Sequence, residues 1–192
     1  MTLSQSEPNK ALSGEALERL FVQIYDEQFD YIWRLLRRFG ARERDREDLA
    51  HDVFVAVHRS LGRYDQDRPL RPWLFGIAFR VVSDYRRKAS FEREIPVDEH
   101  ATASTPPMAL AHLEAAERRA LVTAGLERLP LDQRAVFVMH EMEGVAVVEI
   151  ARALGISDNT CYSRLRLARD RFTKAVRAIA AQQRTQTPSE SS

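Results

Sequence analysis

From Glu15 to Phe39 apolar residues return at helical spacing: Leu17, Leu20, Phe21 and Ile24, then Ile32, Leu35, Leu36 and Phe39. That period predicts one long amphipathic helix, and Gly40 supplies the stop that ends it. A second pattern of Leu49, Val53, Ala56 and Val57 predicts a helix over about 46–60. It opens in the acidic run "DREDL", where carboxylates meet the positive end of a helix dipole. The polar stretch "GRYDQDRP" then reads as a loop. Pro72 is placed to open a third helix, through Trp73, Leu74, Ile77, Ala78, Val81 and Tyr85 to about Lys88. Together the three have apolar faces enough to enclose a small core.

At Arg93 the pattern breaks. The run "REIPVDEHATASTPPMAL", Arg93–Leu110, holds three prolines and many small polar residues with no apolar period, and reads as a linker. Helical patterns resume over about 109–128, 131–142, 146–153 and 158–180, with "LP" at Leu129–Pro130 and Gly144 as the first two stops. Residues 1–13 and 181–192 are polar and aperiodic, and are expected to be disordered. Nothing reads as a strand. The predicted fold class is all-α: two small helical modules, 14–92 and 110–180, joined by a flexible linker at 93–109.

The second module carries the most specific stretch, "EIARALGISDNTCYSRLRLARDRF", Glu149–Phe172. A short helix, a turn holding Gly155 and a restarted helix make a helix-turn-helix. Gly155 can take positive φ without a Cβ clash, and Ser157 stands where an N-cap is wanted. Cys161, Leu165, Ala168 and Phe172 fall on one side of the restarted helix. The other side presents Asn159, Ser163, Arg166 and Asp170, flanked by Tyr162 and Leu167. From Arg164 to Arg177 there are six basic residues and one acid, Asp170. A helix of this kind fits the major groove of DNA, polar residues to base edges and arginines to phosphates.

Charge distribution matters here because the total conceals it. The 192 residues are 30% charged and carry a net charge of only +1. The single Cys161 excludes an internal disulfide framework and a Cys-rich zinc cage, and fits a reducing cytoplasm. No apolar stretch is long enough for a bilayer, so no membrane insertion is expected, and no secretory signal is evident at the N-terminus. Asp48, His51 and Asp52 have a spacing that could hold a metal, but no further ligand pair accompanies them, and they read as a solvated helix face. No cofactor is expected. A Gly-rich phosphate loop, an H-E-x-x-H motif and a nucleophile motif are all missing, and His140 and Glu141 point apart as helix neighbours, so an enzyme is not expected.

Over about residues 18–178 the chain resembles the bacterial RNA polymerase sigma factors of the extracytoplasmic-function (ECF) group. In the second module, "LERLPLDQRAVFVMHEMEGVAVVEIARALGISDNTCYSRLRLARDRF" is similar to that family's pattern of Leu-Pro, Arg-x-Val-Phe, Glu-Gly, Glu-Ile-Ala, Leu-Gly-Ile-Ser and Ser-Arg-Leu. In the first, "REDLAHDVFVAVHRSLGRYD" is similar to the segment that meets core polymerase, and "RPWLFGIAFRVVSDYRRKA" to the segment that opens and reads the downstream promoter element. Two departures stand out: Cys161 where the family more often has Val, and Arg80 where many members carry Asn. The second bears on which downstream bases are preferred.

The resemblance implies two partners: core RNA polymerase, through the clamp helices of its largest subunit, and promoter DNA, both duplex and single-stranded. It also allows an anti-sigma protein. For the upstream element it points to Tyr162, Ser163 and Arg166 on base edges, Thr160, Arg164 and Arg169 on phosphate, with Asn159 on the same face and Leu167 near a thymine methyl. For the downstream element it points to Phe79, Arg80, Asp84 and Arg87, while Trp73 and Tyr85 read as core. The polymerase-binding set is Asp48, Leu49, Asp52, Val53 and Phe54, and the loop Gly62–Leu70 corresponds to one that captures a flipped base. A linker of about 20 residues reaches roughly 66 Å when extended, so it lets the modules touch DNA together or fold against each other. The alternative is a helix-turn-helix regulator that binds duplex DNA as a dimer, which predicts a strand-containing sensor fold in residues 1–92.

Overall fold

The structure, a computed structural model, describes residues 14–92 and 110–186. The segments expected to be loose at 1–13 and 93–109 lie outside the described residues, as does 187–192. Seven α-helices follow in order: α1 (Gly14–Arg38), α2 (Arg46–Ser60), α3 (Leu70–Glu92), α4 (Leu110–Glu127), α5 (Leu131–Phe137), α6 (Val147–Leu154) and α7 (Asp158–Gln186). Tight turns at Glu43–Asp45 and Leu61–Arg63 flank α2. No strand occurs among the described residues, so the all-α expectation holds and the strand-containing sensor fold of the dimeric regulator is not found.

The elements form where apolar period and stop signals agree. Phe39 N donates to Leu35 O at 2.8 Å as α1 closes, and Gly40 then takes φ 78°. Pro72 lies in the first turn of α3, where its missing N–H has no intrahelical acceptor to lose. Two boundaries differ from expectation. The stretch 131–142 is α-helical only to Phe137 and continues as a wider π turn, Val138–Met142, in which Glu143 N donates to Val138 O at 3.1 Å. The last helix runs to Gln186, past the expected end near 180.

Helices α1–α3 enclose Ile32, Leu35, Leu36, Phe39, Val53, Val57, Leu74 and Phe75, each without exposure to solvent. Burying a side chain of this size stabilises by about 1.5–3 kcal/mol, and a single change to Ala here removes that and leaves a void. Phe39 meets Phe75 edge-on at 5.0 Å between ring centres, the geometry that ring quadrupoles favour. Helices α4–α7 enclose Leu126, Val136, Met139, Ile150, Cys161, Leu165 and Ala168. Here α4 crosses α7 closely at Gly125, where a Cβ would stand 2.8 Å from the Phe172 ring. Of the two options the linker left open, the structure shows the modules folded against each other: α3 packs on α6, and Arg38 of α1 pairs with Glu143.

Candidate nucleic-acid interface

The second module is built around α6, whose Val147, Ile150 and Ala151 turn inward with exposures of 7%, 0% and 1%. Gly155 ends α6 in the left-handed conformation, φ 67° and ψ 36°, which only glycine takes at little cost. The turn is closed by Ile156 N donating to Ala151 O at 2.9 Å. Ser157 then caps α7: its hydroxyl accepts the Thr160 N–H at 3.2 Å. A helix opening on a cap and on Asp158 has its first-turn donors partly satisfied.

Cys161, Leu165 and Ala168 are buried, as their spacing requires, and Phe172 is half-buried against Phe137 at 4.6 Å. The opposite face is free: Asn159, Thr160, Tyr162, Ser163, Arg166 and Leu167 are all exposed. Burial raises the Cys161 thiol above its usual pKa, which fits its apolar role. The arginines divide into two kinds. Arg164 is half-buried and its Nε lies 3.2 Å from Asp132 Oδ2, tying α7 to the start of α5. Arg169 presents Nε and Nη2 to Glu141 Oε1 at 2.7 and 2.6 Å. Arg166 makes no ion pair among the described residues. Both paired arginines, expected on phosphate, carry acids that would have to be displaced or shared. Sequence periodicity gave no sign of Asp132 or Glu141, because the first lies on α5 and the second in the π turn that follows it, both separated from α7 by α6.

In the first module the sets behave differently. Asp48, His51 and Asp52 line the exposed side of α2, whereas Leu49, Val53 and Phe54 are 5%, 0% and 4% exposed. Those three, expected at the polymerase surface, are instead core: Phe54 lies 4.6 Å from the Tyr25 ring and stacks near Phe29. They can position α2 but offer a partner little area. Phe79 is half-buried, edge-on to Phe39 at 6.3 Å, so it is only partly on the DNA side expected of it. Arg80, Asp84 and Arg87 are exposed; Arg80 Nε donates to Gly76 O at 3.0 Å, and Arg87 pairs with Asp84 at 2.9 Å. A groove of about 570 Å³ between α2 and α3 brings Asp52 and Arg59 together with Arg80, Asp84 and Lys88. Two sets that the sequence kept apart thus share one surface.

Trp73 and Tyr85 are half-buried, close to the core role expected of them. Tyr85 Oη donates to Asp45 Oδ2 at 2.5 Å, and burial together with that bond raises the phenol's pKa. Trp73 lies 4.6 Å from Tyr64, whose hydroxyl donates to Arg68 O at 2.6 Å. Tyr64 therefore holds the 62–70 loop in shape, a role that sequence reading missed although a tyrosine in so polar a run was the available signal.

Comparison with known proteins adds to this geometry. Residues 24–92 match the family described as Sigma-70 region 2, and residues 119–172 match Sigma-70, region 4. The chain is 31% identical over 151 residues to the ECF RNA polymerase sigma factor SigL of Mycobacterium tuberculosis, covering 76% of this chain and 82% of that one. It is 30% identical over 172 residues to the RNA polymerase sigma factor CnrH of Cupriavidus metallidurans, covering 85% and 89%. The solved structure of CnrH in complex with the cytosolic domain of CnrY superposes with a TM-score of 0.57 at 27% identity, over 84% of this chain and 90% of that one. The sigma factor RpoE of Bartonella quintana, solved with the anti-sigma factor NepR, shares the fold with a TM-score of 0.66 at 18% identity, over 83% and 98%. Two region matches in order, on a helical fold, together with a relative of 31% identity over most of both chains, place this chain in the ECF family of RNA polymerase sigma factors.

Proposed function

We propose that this sigma factor binds core RNA polymerase and directs promoter recognition and strand opening, with a division of labour between its modules. Helices α4–α7 read the upstream element as duplex. Tyr162, Ser163 and Arg166 reach base edges, Asn159 and Leu167 flank them, and Thr160, Arg164 and Arg169 serve the phosphates. The observation that carries this reading is the division of faces on α7: Cys161, Leu165 and Ala168 are buried while Asn159, Tyr162, Ser163 and Arg166 meet solvent. Thr160 also belongs to the cap, since its hydroxyl lies 2.8 Å from that of Ser157.

Helices α1–α3 take the downstream element after melting. Unpaired bases offer a stacking face and a backbone that needs neutralising, which suits aromatic side chains beside arginines. Arg80, Asp84 and Arg87 supply the exposed surface, Phe79 a partly covered ring, and the loop 62–70 a recess for an unstacked base. Asp48 and Asp52 are the polymerase contacts, on a helix held in register by Leu49, Val53 and Phe54. The protein acts in the cytoplasm as an initiation factor, catalysis belonging to the polymerase. An anti-sigma protein is a further partner.

The test is assembly. Asp52→Arg weakens binding to core polymerase in a native gel or pull-down while leaving the circular dichroism of the free protein unchanged. Undiminished assembly removes Asp52 from the contact.

A further inference from the structure

On α7, Tyr162, Arg166 and Arg169 follow one another at steps of four and three, so the three exposed side chains share one stripe of the helix. Arg169 therefore continues the line along which Tyr162 and Arg166 are assigned to base edges. The acid that meets it comes from elsewhere in the chain. Glu141 belongs to the π turn Val138–Met142, an element that is rare in proteins and frequent at functional sites.

Arg169 Nε and Nη2 both reach Glu141 Oε1, at 2.7 and 2.6 Å. Those two nitrogens form one edge of the guanidinium, the fork with which arginine grips a carboxylate or a phosphate. A carboxylate on that edge excludes a phosphate from it. The other pair on α7 is arranged differently. Arg164 is the less exposed member, 28% against 41% for Asp132, so its head is turned in and fastens α7 to α5. Arg169 is the more exposed member of its pair, 54% against 34% for Glu141. Its head stands at the rim, within reach of a passing phosphate, with the carboxylate set further in.

The charges decide what this does to binding. Exposed ion pairs are weak, so duplex DNA can break this one, at a cost to affinity. An arginine that neutralises a phosphate releases a counterion, whereas an arginine already neutralised by an acid does not. We propose that Glu141 is a phosphate surrogate that occupies Arg169 in the free protein, withholding one sequence-independent contact and weakening its hold on duplex of any sequence. Glu141 acts through Arg169 rather than by touching DNA. This role deepens the reading of α7 as a duplex-binding helix and rests on it.

Fluorescence anisotropy of the full chain on a short labelled duplex of arbitrary sequence, repeated over a range of salt, reads the effect. Glu141→Gln keeps the size of the side chain and removes its charge. It should tighten binding about 2–5-fold, the range for releasing an exposed ion pair. It should also steepen the fall of log affinity with log salt by about 0.9, the slope of one more neutralised phosphate. Loss of a merely structural contact would leave that slope as it was. Helix content by circular dichroism should not change, and adding Arg169→Ala to Glu141→Gln should abolish both gains. Unchanged affinity and slope in Glu141→Gln would overturn the proposal, as would gains that survive in the double variant. Arg166→Ala separates this role from the reading beneath it. If Arg166→Ala weakens duplex binding while Glu141→Gln changes nothing, α7 stays on DNA and the surrogate alone fails. If neither Arg166→Ala nor Arg169→Ala in the Glu141→Gln background weakens binding, the duplex reading fails and the surrogate with it.

Discussion

Ser157 Oγ accepts the backbone N–H of Thr160 at 3.2 Å, joining the turn of the helix-turn-helix to the first turn of its recognition helix. This bond satisfies one of the donors that any helix start leaves open, and losing such a cap costs about 1 kcal/mol. Ser157→Ala should therefore lower the melting temperature by about 2–8 °C, and Ser157→Asp should restore most of the loss. Calorimetry on the two variants checks it; equal melting for Ser157→Ala and the parent would remove the cap from the account.

Arg166 is exposed and makes no ion pair among the described residues, in contrast to Arg164 with Asp132 and Arg169 with Glu141. In the proposed reading its donors serve a base edge. Arg166→Ala should cost about 1–3 kcal/mol of discrimination at one base pair of the upstream element. Binding of holoenzyme to point-substituted promoters measures this, and an equal loss on every sequence would assign Arg166 to phosphate.

Cys161 is fully buried on the inner side of α7, and that burial raises its pKa. Alkylation needs the thiolate, so raising the pKa and closing access act in the same direction. Iodoacetamide at pH 8 should modify Cys161 slowly in the native protein and fast in denaturant. Equal rates would mean that the inner face of α7 opens freely.

Ile150 carries α6 onto α7 with no exposure to solvent. Ile150→Ala should destabilise the protein by about 2–5 kcal/mol, the range for losing a buried branched side chain and leaving a void. Urea unfolding gives the figure, and a loss well under that range would show that the site collapses to refill.

The helices were legible because each has an apolar stripe and a stop. Gly40, Gly144 and Gly155, the three residues of positive φ among those described, stand at three of the ends that the sequence predicted. The face of α7 was legible for the same reason, since Cys161, Leu165 and Ala168 lie where a helical count puts them. The pattern does not say what covers an apolar side. Val53 and Phe54 were expected to meet a partner, yet α1 already covers that side through Tyr25 and Phe29. Contacts across the linker were equally invisible: Gly76 with Ala153, and Arg134 with Gly40, join residues far apart in sequence whose meeting no local period records. The acids that hold Arg164 and Arg169 are hidden in the same way, on α5 and the turn after it, beyond α6.

The most direct measurement is run-off transcription from a library of genomic fragments, with purified bacterial core polymerase and start sites read by sequencing. The account predicts that adding this protein creates a small set of discrete starts sharing an upstream and a downstream element, and that neither core nor protein alone produces them. Starts unchanged by the protein, together with tight binding of the free chain to palindromic duplex as a dimer, would contradict it.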